Sequence, residues 1–284
     1  MSFLWISLRI LLLSFERITG KKIVENQSVI TASWGFFSFS LLTLLPFLNK
    51  VNLDIIKVSF ISGTIYFFSF FLYMYALSNE DVSVVAPLYN INAIFLIFVA
   101  FIFLSEKVTV NKLLGSIMMV YGVSYLKKSG SFMKSYVNIL KSKGAFAMII
   151  SSMLIAVGRT VDGFLTIHRY YDPIGYSIGV YLTMTLYFFI ASFIKEKSIK
   201  NYVVFIKNKW MYLIGGGFCN AYAYIFLLKA FKYIDVSIAE PLSMVSALVS
   251  IIFVYIFFKE KIKLRFIGTV FLILGAFVIY RKVV

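Results

Sequence analysis

One pattern occurs twice in this chain. Ala76, Asp81-Val82-Ser83, Pro87-Leu88, Ala93, Ile97, Ile102-Phe103 and Glu106-Lys107 recur 154 residues later as Ala230, Asp235-Val236-Ser237, Pro241-Leu242, Ala247, Ile251, Ile256-Phe257 and Glu260-Lys261. After a one-residue slip, Gly115 and Gly122 find counterparts at Gly268 and Gly275. Such a repeat in a chain of long apolar runs restricts the fold to two copies of one helical unit. Function is then expected at the interface between the copies.

The apolar runs also decide the solvent. Hydrophobic residues make up 61% of the 284 and charged residues 14%, against about 45–50% and about 25% in soluble domains. No soluble core could hide that much apolar surface, so the bilayer is the solvent. A span takes about 20 mostly apolar residues. Length and flanking charge place spans near 2–19, 28–48, 58–77, 82–104 and 110–126, then 144–168, 173–194, 210–231, 236–258 and 264–280. The first is interrupted by Arg9, Glu16 and Arg17, and Lys-rich connectors are expected at 127–143 and 195–209. Five crossings per half is an odd number, so the second half starts on the opposite side. The expectation is an all-α integral membrane protein of ten transmembrane helices, two inverted five-helix repeats around a central cavity. The units are 1–127 and 144–284, joined by a basic linker at 128–143.

The formal charge of +16 sits mainly between apolar segments. There it meets anionic headgroups and sets topology, which argues against a nucleic-acid partner. One cysteine (Cys219) and one histidine (His168) exclude a disulfide framework and a multi-ligand His/Cys metal site; no cofactor is expected. The N-terminus lacks a basic start and a small-residue cleavage site, so its apolar stretch is expected to stay in a cell membrane. Sixteen Lys and Arg, Lys21 to Arg265, fall on one side of this topology. Nine, Lys50 to Lys282, share the other side with both termini. That count makes the first side cytoplasmic.

The Asp-Val-Ser…Pro-Leu…Glu-Lys…Gly pattern over Ala76 to Gly122 and Ala230 to Gly275 resembles the drug/metabolite transporter superfamily, in its ten-span EamA-type members. The resemblance implies secondary transport of small organic solutes. It also implies a cavity lined by the first, third, fourth, sixth, eighth and ninth helices, and cytoplasmic termini. It supplies no general substrate motif.

The candidate site residues are therefore read from the sequence itself. Pro87 and Pro241 lack an amide hydrogen and release the carbonyls of Ser83 and Ser237. Either a packing kink results, or a pair of broken-helix sites facing the cavity. Glu240 precedes Pro241, and Ala86 stands at its repeat position. An intramembrane carboxylate there suits proton coupling, a cationic substrate or an arginine partner. Asn90, Asn92, Ser243 and Ser246 add uncharged hydrogen-bonding groups. In the first span Glu16 and Arg17 lie about 22 Å from its start. In the sixth, Arg159 and Asp162 are three residues apart on one face that Thr166 continues. Such a set could hold a zwitterion, arginine on its carboxylate and acid on its amine. Arg9 reads as an interface anchor. Tyr66, Tyr73 and Tyr75 in the third span, and Asn220, Tyr222 and Tyr224 in the eighth, would offer apolar faces with polar tips. Gly215-Gly216-Gly217 follows no strand and precedes no Gly-Lys-Ser/Thr, so it is not a phosphate loop.

These readings favour a secondary transporter for a small zwitterionic or amphipathic metabolite, working by alternating access and proton-coupled through Glu240. Alternatives are a flippase for a lipid-linked headgroup, a membrane enzyme or a receptor. Against an enzyme, His168 stands alone, without Gly-x-Ser-x-Gly or His-Glu-x-x-His motifs.

Overall fold

The computed structural model describes residues 2–127, 131–169, 171–196, 199–259 and 262–280. Glu260-Lys261 of the repeat, and Lys128, Lys197, Arg281 and Lys282 of the charge count, lie outside the described residues. Among those described, all regular structure is helical. The first half contains α1 (Ser2–Val24), α2 (Val29–Leu42), α3 (Leu53–Asn79), α4 (Val82–Tyr89), α5 (Asn92–Leu104) and α6 (Val110–Val123). α7 (Phe132–Lys141) joins it to α8 (Lys143–Gly163), α9 (Pro173–Glu196), α10 (Ile199–Phe231), α11 (Val236–Ser243), α12 (Val245–Phe258) and α13 (Lys263–Tyr280). Counting α4–α5 and α11–α12 as one span each, seven helices among the described residues are long and apolar enough to cross a membrane; α2 and α6 are shorter and apolar.

Side chains set the helix boundaries. The Asn52 side chain accepts from the Ile55 amide at 2.8 Å and starts α3. Asp172 accepts from Ile174 and Gly175 at 2.9 and 3.0 Å at the start of α9. Ser105 ends α5 at φ 55°, and its repeat counterpart Lys259 ends α12 at φ 54°. Both occupy the left-handed conformation that terminates helices.

Several expected boundaries are corrected. The second span ends at Leu42, because Pro46 opens a 3₁₀ turn over Leu45–Lys50. The sixth span keeps its expected end at His168, with its last turn, Phe164–His168, π-helical. The 127–143 connector contains α7, whose Met133, Val137 and Leu140 form one exposed apolar stripe. The 195–209 connector is helical from Ile199, since Tyr202 and Phe205 are buried there; Tyr202 meets Trp34 edge-on at 4.7 Å. α10 therefore has 33 residues, about 50 Å of helix, and extends beyond a hydrocarbon layer of about 30 Å.

The packing is inside-out relative to a soluble protein. Phe101, Ile102, Phe103, Ile194, Ile256 and Phe257 are exposed, whereas Ser59, Ser62, Ser69, Ser151, Ser152 and Ser250 are buried. Small hydroxyl residues let helices approach closely: Ser69 Oγ donates to the Ser151 carbonyl at 3.2 Å, and Ser151 Oγ to the Ser69 carbonyl at 2.9 Å.

The two halves are related by a local two-fold axis. A methyl group at Gly122 would meet the Gly268 carbonyl at 2.6 Å, and one at Gly268 the Gly122 carbonyl at 2.5 Å. Gly115 and Gly275 oppose each other in the same reciprocal way. Residue 115 thus faces the counterpart of 122, and 122 the counterpart of 115. That makes α6 and α13 an antiparallel, isologous pair. α4 packs on α12 and α11 on α5. Asn90 and Met244, equivalent positions in the repeat, touch each other: Asn90 Nδ2 lies 3.5 Å from the Met244 carbonyl. The axis passes there.

Candidate functional site

Both long broken spans interrupt at that axis. The chain tightens just after Tyr89 and again at Met244. Asn90 N bonds to the Pro87 carbonyl at 3.1 Å, and Met244 N to the Pro241 carbonyl at 3.0 Å. The interruptions fall three residues beyond the prolines, because tightened i→i−3 bonds take over downstream. Ser152 Oγ lies 3.0 and 3.3 Å from the Leu88 and Tyr89 carbonyls. Backbone groups loosened by the turn therefore find a partner on α8. Pro87 and Pro241 are buried inside α4 and α11, with Ser83 and Ser237 near the helix starts.

Around the breaks, charged side chains from both halves meet away from solvent. Glu240 lies between two arginines. Arg9 Nη2 donates to Glu240 at 3.1 and 3.3 Å, and Arg159 Nε donates at 2.6 Å. Arg9 also donates from Nε to Ser243 Oγ at 2.9 Å and from Nη1 to the Ala223 carbonyl at 3.0 Å. Arg159 Nη1 donates to the Tyr66 hydroxyl at 2.8 Å and to Asp162 at 3.3 Å. Its guanidinium lies 5.0 Å from the centroids of both the Tyr66 and Tyr224 rings. The Tyr66 hydroxyl donates onward to Asp162. The Tyr176 hydroxyl sits 2.9 Å from the other Asp162 oxygen and 2.6 Å from Ser62 Oγ. Gly158 makes this possible, since a methyl group there would meet the Tyr66 ring at 2.5 Å.

A second group lies further along α1. Glu16 faces the Tyr73 hydroxyl at 3.3 and 3.4 Å. Arg17 donates to Asn90 Oδ1 at 3.2 Å and to Ser250 Oγ at 3.5 Å, with its guanidinium 5.3 Å from the Tyr89 ring centroid. Adjacent residues on a helix point apart, so Glu16 and Arg17 engage different neighbours.

The structure thus joins Arg159, Asp162, Tyr66, Glu240 and Ser243 in one network, with Glu16, Arg17 and Asn90 beside it. Thr166 instead bonds to the Asp162 carbonyl of its own helix at 2.7 Å, and Ser246 to the Ser243 carbonyl at 2.6 Å. Asn220 bonds Ser40 Oγ at 3.0 Å. Tyr222 stacks on Phe218, with centroids 4.5 Å apart. Asn92 is buried and its Nδ2 has no hydrogen-bond partner among the described residues.

Arg9 corrects the sequence reading: it is 1% exposed and paired with Glu240, not an interface anchor. Its spacing from Leu13 and Glu16 (i, i+4, i+7) is the signal that could have placed it on the inner stripe. Tyr176 and Tyr89 are further members that sequence reasoning missed. The expected central cavity is closed in this conformation. The arginine–carboxylate pairs fill it, leaving one gap of about 20 Å³ beside Arg159 and Tyr181 and another of about 10 Å³ between Glu16, Arg9 and Arg159. Larger apolar grooves of about 320 and 390 Å³ lie elsewhere, one along Phe3, Ile6, Leu242 and Phe277, the other along Ile61, Val99, Val157 and Phe164.

Cross-repeat contacts also join the two halves at both ends of the bundle. At the start of α11, Glu106 accepts from the Val236 and Ser237 amides at 3.1 and 3.3 Å and from the Ser237 hydroxyl, with Lys112 at 3.6 Å. At the start of α4, on the opposite end, Arg265 reaches Asp81 at 2.8 Å and Ser83 Oγ at 2.5 Å.

No curated protein matches this sequence. One crystal structure aligns over 98% of this chain and 95% of its own at 14% identity, with a TM-score of 0.72. At that identity the likeness establishes the fold. The EamA-like transporter family matches residues 1–126 and 142–281, one stretch in each repeat. The chain belongs to the EamA-like transporter family and is a multi-pass membrane protein of transporter type.

Proposed function

We propose that this protein is a secondary transporter for small zwitterionic, amino-acid-like metabolites, with its site at the buried junction of the repeats. In this reading ten crossings form two inverted five-helix units, 1–127 and 144–284, linked by 128–143. They rock against each other about the axis at Asn90 and Met244. The structure then corresponds to an occluded state with both ends closed.

One observation carries the reading. Three arginines and three carboxylates, Arg9, Arg17, Arg159, Glu16, Asp162 and Glu240, are buried together from both halves. Their formal charges sum to zero. Burying them without function would be expensive in a membrane protein. Glu240 occupies the fork of Arg9 and Arg159 that a substrate carboxylate would need. It stands in for that carboxylate, while Asp162 and the Tyr66 and Tyr176 hydroxyls suit an ammonium group.

The test is a melting-temperature screen of the purified protein against free amino acids, inorganic anions and simple amines, since a ligand that binds the folded state raises the transition. Amino acids are expected to stabilise where single-charge ions do not. Arg159→Ala should abolish the shift. Glu240→Gln, which removes the competing negative charge from the fork, should lower the concentration needed. Stabilisation that ignores both substitutions would remove these residues from the site. A flippase reading gains support from the apolar groove along Phe3, Ile6, Leu242 and Phe277, which opens beside α1 and α11. Movement of a labelled lipid across vesicles, with no uptake of labelled amino acid, would favour it.

A further inference from the structure

Glu16 is the one buried carboxylate at the junction, among the described residues, that has no ion pair. Glu240 takes donors from two arginines, and Asp162 takes Arg159, Tyr66 and Tyr176. Glu16 presents two oxygens to a single hydroxyl, Tyr73, at 3.3 and 3.4 Å. A carboxylate has about four acceptor sites, and leaving most of them empty in a buried position is costly for the charged form. A carboxylic acid asks for far less. The oxygens of Glu240 and Asp162 already have these donors, so a proton reaches either only by displacing one of them.

Resting on the transport reading, we infer that Glu16 is a proton-binding site of this protein and that its proton controls the Arg9–Glu240 clamp. The residue identified from sequence for coupling, Glu240, is instead the clamp itself. Several groups face Glu16. Arg9 and Arg17 come from its own helix, Tyr73 from α3, Tyr89 from α4, Arg159 from α8, Tyr181 from α9, and Cys219 and Tyr224 from α10. From α11 the nearest charge is Glu240, behind Arg9.

Arg9, Glu16, Tyr89 and Arg159 border the same gap of about 10 Å³, which is about the volume needed by one water. A proton leaving Glu16 passes to water in that gap, and the charge left behind faces Arg9 across it. Arg9 then has two carboxylates to choose between. Turning toward Glu16 loosens its hold on Glu240 and frees the Arg159 fork for an incoming carboxylate. A metal cation fits this place poorly. It would need several oxygen ligands with little positive charge beside them, and here the one carboxylate bordering the gap shares it with the guanidinium groups of Arg9 and Arg159.

Infrared spectroscopy of the purified protein in lipid nanodiscs tests this without any substrate. A carbonyl stretch of a protonated, buried carboxyl is expected in wild type and should vanish as the buffer is made alkaline. It should be lost in Glu16→Gln and return at a shifted frequency in Glu16→Asp. The aspartate variant decides the matter if the glutamine variant does not fold. Absence of the band in wild type at every pH, its persistence in Glu16→Gln, or an unshifted band in Glu16→Asp would overturn the assignment. Any of these leaves the transport reading standing. A band that behaves as expected, in a protein that moves no amino acid across vesicles, would instead fail the transport reading alone.

Discussion

The α6–α13 crossing and the charged junction obey the same two-fold axis and use it in opposite ways. At the crossing, Gly115, Gly122, Gly268 and Gly275 face each other reciprocally, and each half contributes the same residues. At the junction the halves contribute different ones. Glu240 has Ala86 at its equivalent position, and Met244 meets Asn90. Close packing between identical surfaces needs only small residues and is satisfied symmetrically. Two reciprocal arginine–carboxylate pairs would also obey a two-fold axis, but here Glu240 meets Arg9 and Arg159 while Ala86 stands at its equivalent position, so the charged centre departs from the symmetry. The difference separates what holds the halves together from what is available to bind a solute.

The sharpest way to break that comparison is to remove a charge. Arg159→Ala should lose about 3–5 kcal/mol, because Glu240 and Asp162 then remain buried with their shared partner gone. Denaturation in mild detergent, followed by tryptophan fluorescence or circular dichroism, would read it. Arg159→Lys should recover only part of the loss, since one ammonium cannot reproduce donors at both Nε and Nη1. A loss below about 1 kcal/mol, as for an exposed ion pair, would mean that the junction is wetter and looser than its geometry implies.

Next in size is the crossing. Gly122→Val and Gly275→Val place methyl groups against the Gly268 and Gly115 carbonyls. Overpacking of this kind costs about 1–3 kcal/mol. Gly122 and Gly275 are equivalent positions, so the two losses should agree. A pronounced difference between them in the same melting assay would show that the symmetry of the crossing is only approximate.

Much of this division could be read from sequence. The matched glycines at 115/122 and 268/275 are visible in the repeat, although not that they face each other, and the three-residue spacing of Arg159 and Asp162 puts both on one face of α8. Glu240 stood out because Ala86 had replaced it. What could not be read was contact between elements distant in the chain. Arg9 meets Glu240 across 231 residues, and Tyr176 reaches Asp162 from the first turn of α9, whose charged residues lie only at its far end. Local periodicity identifies the inner face of a helix but not the residue opposite. Lysines misled in another way. They end a membrane span but do not end a helix, so 195–209 read as a connector although α10 starts at Ile199.

The smallest expected effects lie at the two ends of the bundle, where equivalent helix starts are closed by different chemistry. The pair at α11 is buried, with Lys112 and Glu106 side chains 6% and 11% exposed; the pair at α4 is open, with Arg265 and Asp81 at 20% and 52%. Glu106 also accepts two amides at the start of α11, so Glu106→Ala removes a cap as well as an ion pair and should cost about 1–2 kcal/mol. Arg265→Ala should cost less than about 1 kcal/mol, and added salt should shrink that cost further by screening the exposed pair. If the α4 end opens more readily for this reason, a cysteine placed at Ser83 should react with a water-soluble maleimide faster than one at Ser237, in a background where Cys219 is replaced by serine. Raising the salt should widen the gap between the two rates. Equal rates at low and high salt would mean that the two ends are closed with the same strength, and that their different chemistry has no consequence for access.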